Sequence, residues 1–142
     1  MRRMWSGLVV LCVAALAPGH GSAGTLEECY QRTQTRLEVT PCLNAAKKAA
    51  TDAMLEQFLA AEQSLAELEE VTGRGGKVAA LKQSQRDFER YLQSQCQVVL
   101  SLYDSGAGAG QAQLACEVDQ LRQRAAALKL LVPMPNEARP KE

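Results

Sequence analysis

The sequence predicts an all-α protein, an antiparallel three-helix bundle with a short N-terminal helical arm and two disulfides. The first observation behind this prediction is that no proline occurs between Pro41 and Pro133. The second is that the glycines inside that stretch form two clusters, at 73–76 and 106–110, and two breaks indicate three long helices. The third is that apolar side chains within each resulting segment recur every three or four residues, as on one face of a helix.

The N-terminal segment 1–23 has the features of a secretory signal peptide. Two arginines precede an apolar run at 8–16, which is followed by a small-residue cleavage site at 21–23. The run is too short for a hydrocarbon layer of about 30 Å, which needs about 20 helical residues. Cys12 follows the bulky Leu11, where a lipoprotein site requires a small residue. We therefore predict a periplasmic or secreted bacterial protein with no membrane anchor after cleavage.

The composition of the mature chain excludes several classes of function. Removing 23 of 142 residues leaves 119, with 14 basic residues against 16 acidic ones and neither histidine nor tryptophan. This balance argues against a nucleic-acid binder held by bulk electrostatics. Catalysis by an imidazole is excluded, and no serine stands at a suggestive spacing from a lysine. We expect no enzyme activity and no cofactor.

Four cysteines remain in the mature chain: Cys29, Cys42, Cys96 and Cys116. Their spacing contains no C-x-x-C knuckle and no histidine could complete a site, so disulfides are predicted rather than a metal. Cys96 and Cys116 lie about 12 Å and 9 Å from the loop that joins their helices, which favours pairing them, and Cys29 with Cys42 follows. The pairs Cys29–Cys96 with Cys42–Cys116, or Cys29–Cys116 with Cys42–Cys96, stay open as alternatives.

The predicted elements follow the chain in order. A short helical arm covers 26–37 and ends before Pro41. The longest helix covers 43–72, about 45 Å, and Gly73 ends it. Its apolar stripe consists of Leu43, Ala46, Ala50, Met54, Phe58, Ala61, Leu65 and Leu68.

The second and third long helices cover 77–103 and about 111–132. Their stripes consist of Leu81, Gln85, Phe88, Leu92, Cys96, Val99 and Tyr103, and of Leu114, Val118, Leu121, Ala125, Leu128 and Val132. The glycine-rich segment 106–110 is predicted to be a loop between them. The proline-punctuated residues 133–142 are predicted to be a disordered tail.

The segment 73–77, Gly-Arg-Gly-Gly-Lys, places Arg74 and Lys77 in a basic turn. It is not a phosphate-binding loop, because that motif follows a strand and has serine or threonine after the lysine. The turn either caps the preceding helix or enters an anionic cleft on a partner. Lys82, Arg86 and Arg90 form a cationic stripe, which either contacts an acidic partner or is balanced by glutamates of the neighbouring helix.

One helical segment carries a family resemblance. It is Gln85-Arg86-Asp87-Phe88-Glu89-Arg90-Tyr91-Leu92-Gln93-Ser94-Gln95-Cys96. The other shared positions are Cys42, Leu43, Asp52, Leu55, Cys116, Arg124 and Leu128. The pattern over 29–128 resembles the lysozyme inhibitor LprI-like N-terminal domain family. The departures are Phe88 for the family's tryptophan, together with Glu56, Leu92, Gln93 and Leu121.

The resemblance implies a disulfide-bonded helical domain over 24–132 and associates some members with inhibition of host lysozyme. Under the first hypothesis, Arg74 and Lys77, or the segment 104–110, enter the carboxylate-lined cleft of a lysozyme. Under the second, the chain is an envelope structural or adaptor protein that presents a helical face for self-association or partner binding. The two hypotheses make different residues the contact surface.

Overall fold

The structure, a computed structural model, describes residues 24–103 and 106–132. Within these two ranges the chain is helical and has no strand, which confirms the all-α prediction. The four helices are α1 (Thr25–Arg32), α2 (Arg36–Thr72), α3 (Lys77–Ser101) and α4 (Ala107–Lys129). None of the described helices is long and apolar enough to cross a membrane. The predicted signal peptide (1–23) and disordered tail (133–142) lie outside the described residues.

The N-terminal helices begin and end at residues other than the predicted ones. The predicted arm over 26–37 is wrong in its extent, because α1 ends at Arg32 and α2 begins at Arg36. The Glu38 carboxylate accepts hydrogen bonds from the backbone N–H groups of Gln34 and Thr35, at 2.9 Å and 3.2 Å. Thr35 and Glu38 have the spacing of a capping box, which starts a new helix here.

Pro41 lies inside α2 instead of preceding it, so the predicted start at residue 43 is also wrong. A proline lacks the N–H group that would bond to the carbonyl four residues earlier, at Leu37. That carbonyl belongs to an exposed first turn, where water can satisfy it. Burial of Val39 and Leu43, both 0% exposed, holds the helix on either side of the proline.

The main core lies between α2, α3 and α4. Helix α4 runs in the same direction as α2, since Gln111 contacts Thr40 at 3.2 Å and Glu117 pairs with Lys47 at 2.5 Å. Helix α3 runs the opposite way, packing against both. The buried residues of this core are Ala50, Met54, Ala61, Leu81, Val118, Leu121 and Leu128. Because two of these residues are alanines, each large side chain carries much of the buried apolar area.

Helix α1 packs against both α2 and α4, so it is an integrated fourth helix rather than a peripheral arm. The Asp119 carboxylate on α4 accepts hydrogen bonds from the backbone N–H of Thr25 at 3.2 Å and from its hydroxyl at 2.5 Å. Arg122 donates to the Thr25 hydroxyl at 2.9 Å and pairs with Glu28 at 3.1 Å. A carboxylate on one helix therefore caps the N-terminus of another.

Replacing Asp119 by alanine should lower the free energy of unfolding by about 1–2 kcal/mol, because α1 loses its cap and the N–H and hydroxyl groups of buried Thr25 lose their acceptor. Urea denaturation followed by circular dichroism measures the change. The matched control is Asp52→Ala, which removes an exposed pair with Lys48 and should cost less than about 0.5 kcal/mol. Equal losses in the two variants would show that the interhelix cap contributes nothing.

Candidate functional site

The turn between α2 and α3 forms an exposed tip at one end of the molecule. Residues 73–76 are all exposed. Gly73 and Gly76 have φ angles of 64° and 99°, in the left-handed region that disfavours residues with a Cβ atom. The two helices end and begin here as the glycine cluster predicts. The turn is short and carries few side chains, so it is a narrow feature at the surface.

Glu69 holds the turn in place from the last part of α2. Its Oε1 atom accepts hydrogen bonds from the backbone N–H groups of Lys77 and Val78, the second at 3.1 Å. These two N–H groups begin α3, where no intrahelical acceptor exists for them. This role of Glu69 was not predicted from the sequence. The sequence does indicate that α3 needs an acceptor from another helix. Gly76 has no side chain with which to cap α3, and α3 has no acid in its first turn.

The two cations of the turn have different surroundings. The Lys77 ammonium group donates a hydrogen bond to the carbonyl of Arg74, so its side chain folds back over the turn. The N–H of Arg74 donates to the Thr72 hydroxyl at 3.4 Å. Within the described residues the Arg74 guanidinium makes no ion pair. Arg74 is therefore presented to solvent on a turn that backbone contacts hold in one shape.

The cationic stripe of α3 is engaged in contacts within the protein. Lys82 pairs with Glu62 of α2 at 2.6 Å. Arg86 donates to the Gln83 side chain at 2.6 Å, and Arg90 pairs with Asp87. Carboxylates neutralise two of the three cations, one of them across the helix interface. The stripe thus presents less positive charge than its sequence indicates.

The glycine-rich segment is largely helical, which corrects the predicted loop at 106–110. Helix α4 begins at Ala107, and residues 107–110 form its first turn. Glycine in a helix costs up to about 1 kcal/mol relative to alanine. Burial of Ala109 and Ala112, each 5% exposed, offsets that cost. Of the segment 104–110 proposed as a contact, residues 104 and 105 lie outside the described residues, Gly106 precedes α4, and residues 107–110 belong to α4.

Three residues of the family resemblance, Gln85, Phe88 and Arg124, meet at the α3–α4 interface. Buried Gln85 accepts a hydrogen bond from Arg124 at 3.1 Å and donates to the Met54 sulfur at 3.5 Å. Arg124 also donates to Ser84 at 3.1 Å, and its guanidinium carbon lies 5.4 Å from the centre of the Phe88 ring. Partial burial lowers the pKa of Arg124. These contacts join α2, α3 and α4.

The two disulfides are Cys29–Cys42, which joins α1 to α2, and Cys96–Cys116, which joins α3 to α4. Their Cα atoms lie 5.8 Å and 5.6 Å apart. These are the two pairs that the positions of the cysteines along the predicted helices favour. In the described part of the chain no cluster of three histidine, cysteine, aspartate or glutamate residues could hold a metal ion.

Two shallow cavities lie beside α1. The first, about 300 Å³, is lined by Tyr30, Arg36, Leu37, Thr40, Gly108 and Gln111. The second, about 330 Å³, is lined by Glu28, Cys29, Arg32, Cys42, Ala45, Ala46, Ala49 and Arg122. Neither lining combines a nucleophile with a base or two acids, the groups that hydrolytic catalysis uses. The α2–α3 turn remains the better candidate for a functional surface.

Comparison with known proteins identifies one family. The model of the family described as lysozyme inhibitor LprI matches residues 27–128. That range begins in α1 and ends near the end of α4, so it includes both disulfides and the α2–α3 turn. No curated protein matches the chain, and no solved structure matches it.

Proposed function

The chain belongs to the lysozyme inhibitor LprI family, and from that membership we propose that it is a secreted or periplasmic binding protein that inhibits a lysozyme-type muramidase. Two disulfides support an oxidising compartment. An inhibitor requires no catalytic groups of its own. It needs a stable scaffold that presents one well-positioned surface to the enzyme.

The contact surface in this proposal is the α2–α3 turn with Arg74 and Lys77. The observation that carries it is the exposed Arg74 on a turn braced by Glu69. A retaining glycosidase has two carboxyl groups about 5–5.5 Å apart in its cleft. A planar guanidinium with five N–H donors matches such a pair better than an ammonium does. Arg74 would occupy the cleft and exclude the polysaccharide, with Lys77 adding positive charge at its rim.

A double substitution, Arg74→Ala with Lys77→Ala, should weaken inhibition at least about tenfold, because an arginine at the centre of an interface contributes about 2 kcal/mol or more. The measurement is residual muramidase activity of a chicken-type lysozyme titrated with the variant. The matched control is Arg36→Ala with Lys48→Ala, which removes the same charge from exposed residues closer to the start of α2. Its inhibition should stay within about twofold of the wild type.

If the turn variant inhibits as well as the control, the turn is not the contact surface. Unfolding curves of both variants separate this result from a loss of fold. Neither arginine takes part in a described ion pair, and Lys48 forms only an exposed pair with Asp52, so both variants should remain folded.

A second candidate function is an envelope adaptor that presents a helical face. It is favoured by two leucines on α2, Leu55 and Leu59, which are 50% and 56% exposed. They stand four residues apart and so lie on one side of the helix. Sedimentation equilibrium at high micromolar concentration tests the self-associating form of this candidate. A purely monomeric protein would exclude that form.

A further inference from the structure

The first of the two cavities, about 300 Å³, lies where α1, the start of α2 and the start of α4 meet. Its volume is at the lower end of the range for small-molecule sites, about 300–1,000 Å³. Among the described residues that line it, Arg36 is the one charged side chain. No carboxylate in this lining neutralises it, so the cavity favours an anionic ligand.

Two hydrogen-bond donors of α2 at this cavity have no acceptor in the described part of the chain. The Arg36 guanidinium makes neither an ion pair nor a hydrogen bond there. Thr51 and Thr72 of the same helix donate their hydroxyl protons to the carbonyl four residues earlier. The Thr40 hydroxyl instead accepts a hydrogen bond from Gln111 at 3.2 Å. Arg36 and Thr40 are four residues apart, about 5–6 Å at Cβ, so both can donate to one carboxylate.

The other polar side chains of the cavity are fixed by hydrogen bonds between helices. The Gln111 side chain of α4 donates to the Arg36 carbonyl at 3.5 Å and accepts the Tyr30 hydroxyl of α1 at 2.9 Å. The Gln111 side-chain oxygen keeps a second lone pair that can accept another hydrogen bond. The Leu37 carbonyl is a further acceptor, because Pro41 has no N–H to donate to it. The cavity therefore offers acceptors for an N–H group beside the donors for an anion.

Apolar surface and open space complete the cavity. Leu37 is 88% exposed and Tyr30 is 42% exposed, so both side chains have apolar surface that a ligand can cover. Gly108 of α4 has no side chain, and a Cβ atom added there would meet nothing within 4 Å. A ligand that fits this lining combines a carboxylate, an N–H group and a small apolar part.

We infer that this cavity binds the carboxylate end of a short peptide. Arg36 and Thr40 hold the carboxylate, and the Gln111 side-chain oxygen accepts the last peptide N–H. The last side chain, small and apolar, packs on Leu37 and the Tyr30 ring. Inorganic phosphate or sulfate has neither an N–H group nor an apolar part, so it would use only the two donors. A peptide end uses all three features of the lining.

This site is separate from the surface of the proposed inhibition. Arg36 begins α2, and the α2–α3 turn follows the end of this helix of 37 residues, about 55 Å away along its axis. The peptide site and the turn therefore lie near opposite ends of α2. Either binding activity can fail in experiment while the other persists.

The test uses N-acetyl-alanyl-alanine as the probe and the same dipeptide with an amidated C-terminus as its matched control. The isotope-labelled, oxidised mature chain is titrated with each and followed by NMR. The free acid should shift the amide resonances of residues 30, 36–40 and 108–111 with an affinity in the millimolar range. The amidated dipeptide should bind at least about tenfold more weakly, because it lacks the charge that Arg36 pairs with.

Three variants separate a contact role from a structural one. Arg36→Ala should weaken binding of the free acid at least about tenfold. Arg32→Ala removes the same charge from the end of α1 and should change the affinity less than about twofold. Gly108→Leu fills the cavity without removing a binding group and should abolish binding. Its Tm should not fall, because leucine favours a helix more than glycine does and its Cβ meets no atom.

Three results would overturn the inference. Absence of any shift up to about 20 mM free acid would show that the cavity binds no peptide end. Equal affinities for the acid and the amide would show that the carboxylate is not recognised. Equal losses in Arg36→Ala and Arg32→Ala would show attraction to net charge only. None of these results bears on lysozyme inhibition, which the titration of the enzyme tests by itself.

Discussion

Replacing Leu128 by alanine is expected to lower the free energy of unfolding by about 2–5 kcal/mol. Leu128 is fully buried near the end of α4, in the core that α2, α3 and α4 share. Its removal leaves a cavity as well as lost transfer free energy, because close-packed neighbours relax only partly. Small domains have total stabilities of about 5–15 kcal/mol, so this single change is a large fraction of the whole.

The control for this prediction is Leu130→Ala, two residues further along the chain. Leu130 is 86% exposed, so its truncation should cost less than about 0.5 kcal/mol. Urea denaturation of both variants in the oxidised form gives the comparison. Similar losses at positions 128 and 130 would mean that α4 does not bury its predicted stripe.

The second large effect concerns the disulfide between Cys96 and Cys116. A bond that closes a loop of this length, with a sequence separation of 20, stabilises a protein by about 3 kcal/mol, mainly by restricting the unfolded chain. Replacing both cysteines by alanine should therefore lower the free energy of unfolding by about 3 kcal/mol. Cys96 is 0% exposed, so a small packing loss adds to this value.

The Cys29–Cys42 bond provides the comparison. Its sequence separation is 13, so its replacement should cost slightly less in loop entropy. This bond also keeps α1 against α2, and its loss should expose α1 amides to hydrogen exchange before the rest of the chain. Exchange that stays uniform over the four helices would contradict this assignment. A Cys96→Ala/Cys116→Ala variant that is as stable as the oxidised wild type would contradict the larger prediction.

The fold was predictable where local chemistry decides it. Gly73 and Gly76 adopt the left-handed conformations that end one helix and precede the next, so the α2–α3 boundary follows from the sequence. The start of α4 does not follow from local preference, because burial of Ala109 outweighs the cost of its glycine neighbours. The start of α2 was missed for another reason. In the sequence, Pro41 indicates a helix start at residue 43 more strongly than the Thr35–Glu38 pair indicates a capping box at the start of α2.

The candidate site was predictable in its residues but not in their contacts. Arg74 stands out in the sequence because glycines flank it on both sides, and Lys77 because it directly follows the glycine cluster. Glu69 lies among other glutamates on an exposed helix, and its role depends on N–H groups of the next helix. Periodicity places Gln85 on the apolar stripe of the second long helix, and Gln85 is buried there, but its hydrogen bond from Arg124 across the α3–α4 interface was not predicted. Both contacts depend on distances between helices, and the spacing of apolar residues along one helix does not give those distances.

The proposed inhibition depends on one feature of the α2–α3 hairpin. A turn braced by Glu69 presents Arg74 to solvent. Because the shape of this turn depends on how α2 and α3 pack, unfolding the domain should remove inhibition. Residues of the family motif contribute to that packing, which is how mutations away from the turn would affect function.

The most direct measurement is residual activity of a chicken-type lysozyme titrated with the oxidised mature domain, with a reduced and alkylated sample alongside. We expect stoichiometric inhibition by the oxidised domain and its loss on reduction, since each disulfide contributes about 2–4 kcal/mol to the fold that presents the turn. Full lysozyme activity at a large molar excess of the oxidised domain would contradict the proposed inhibition.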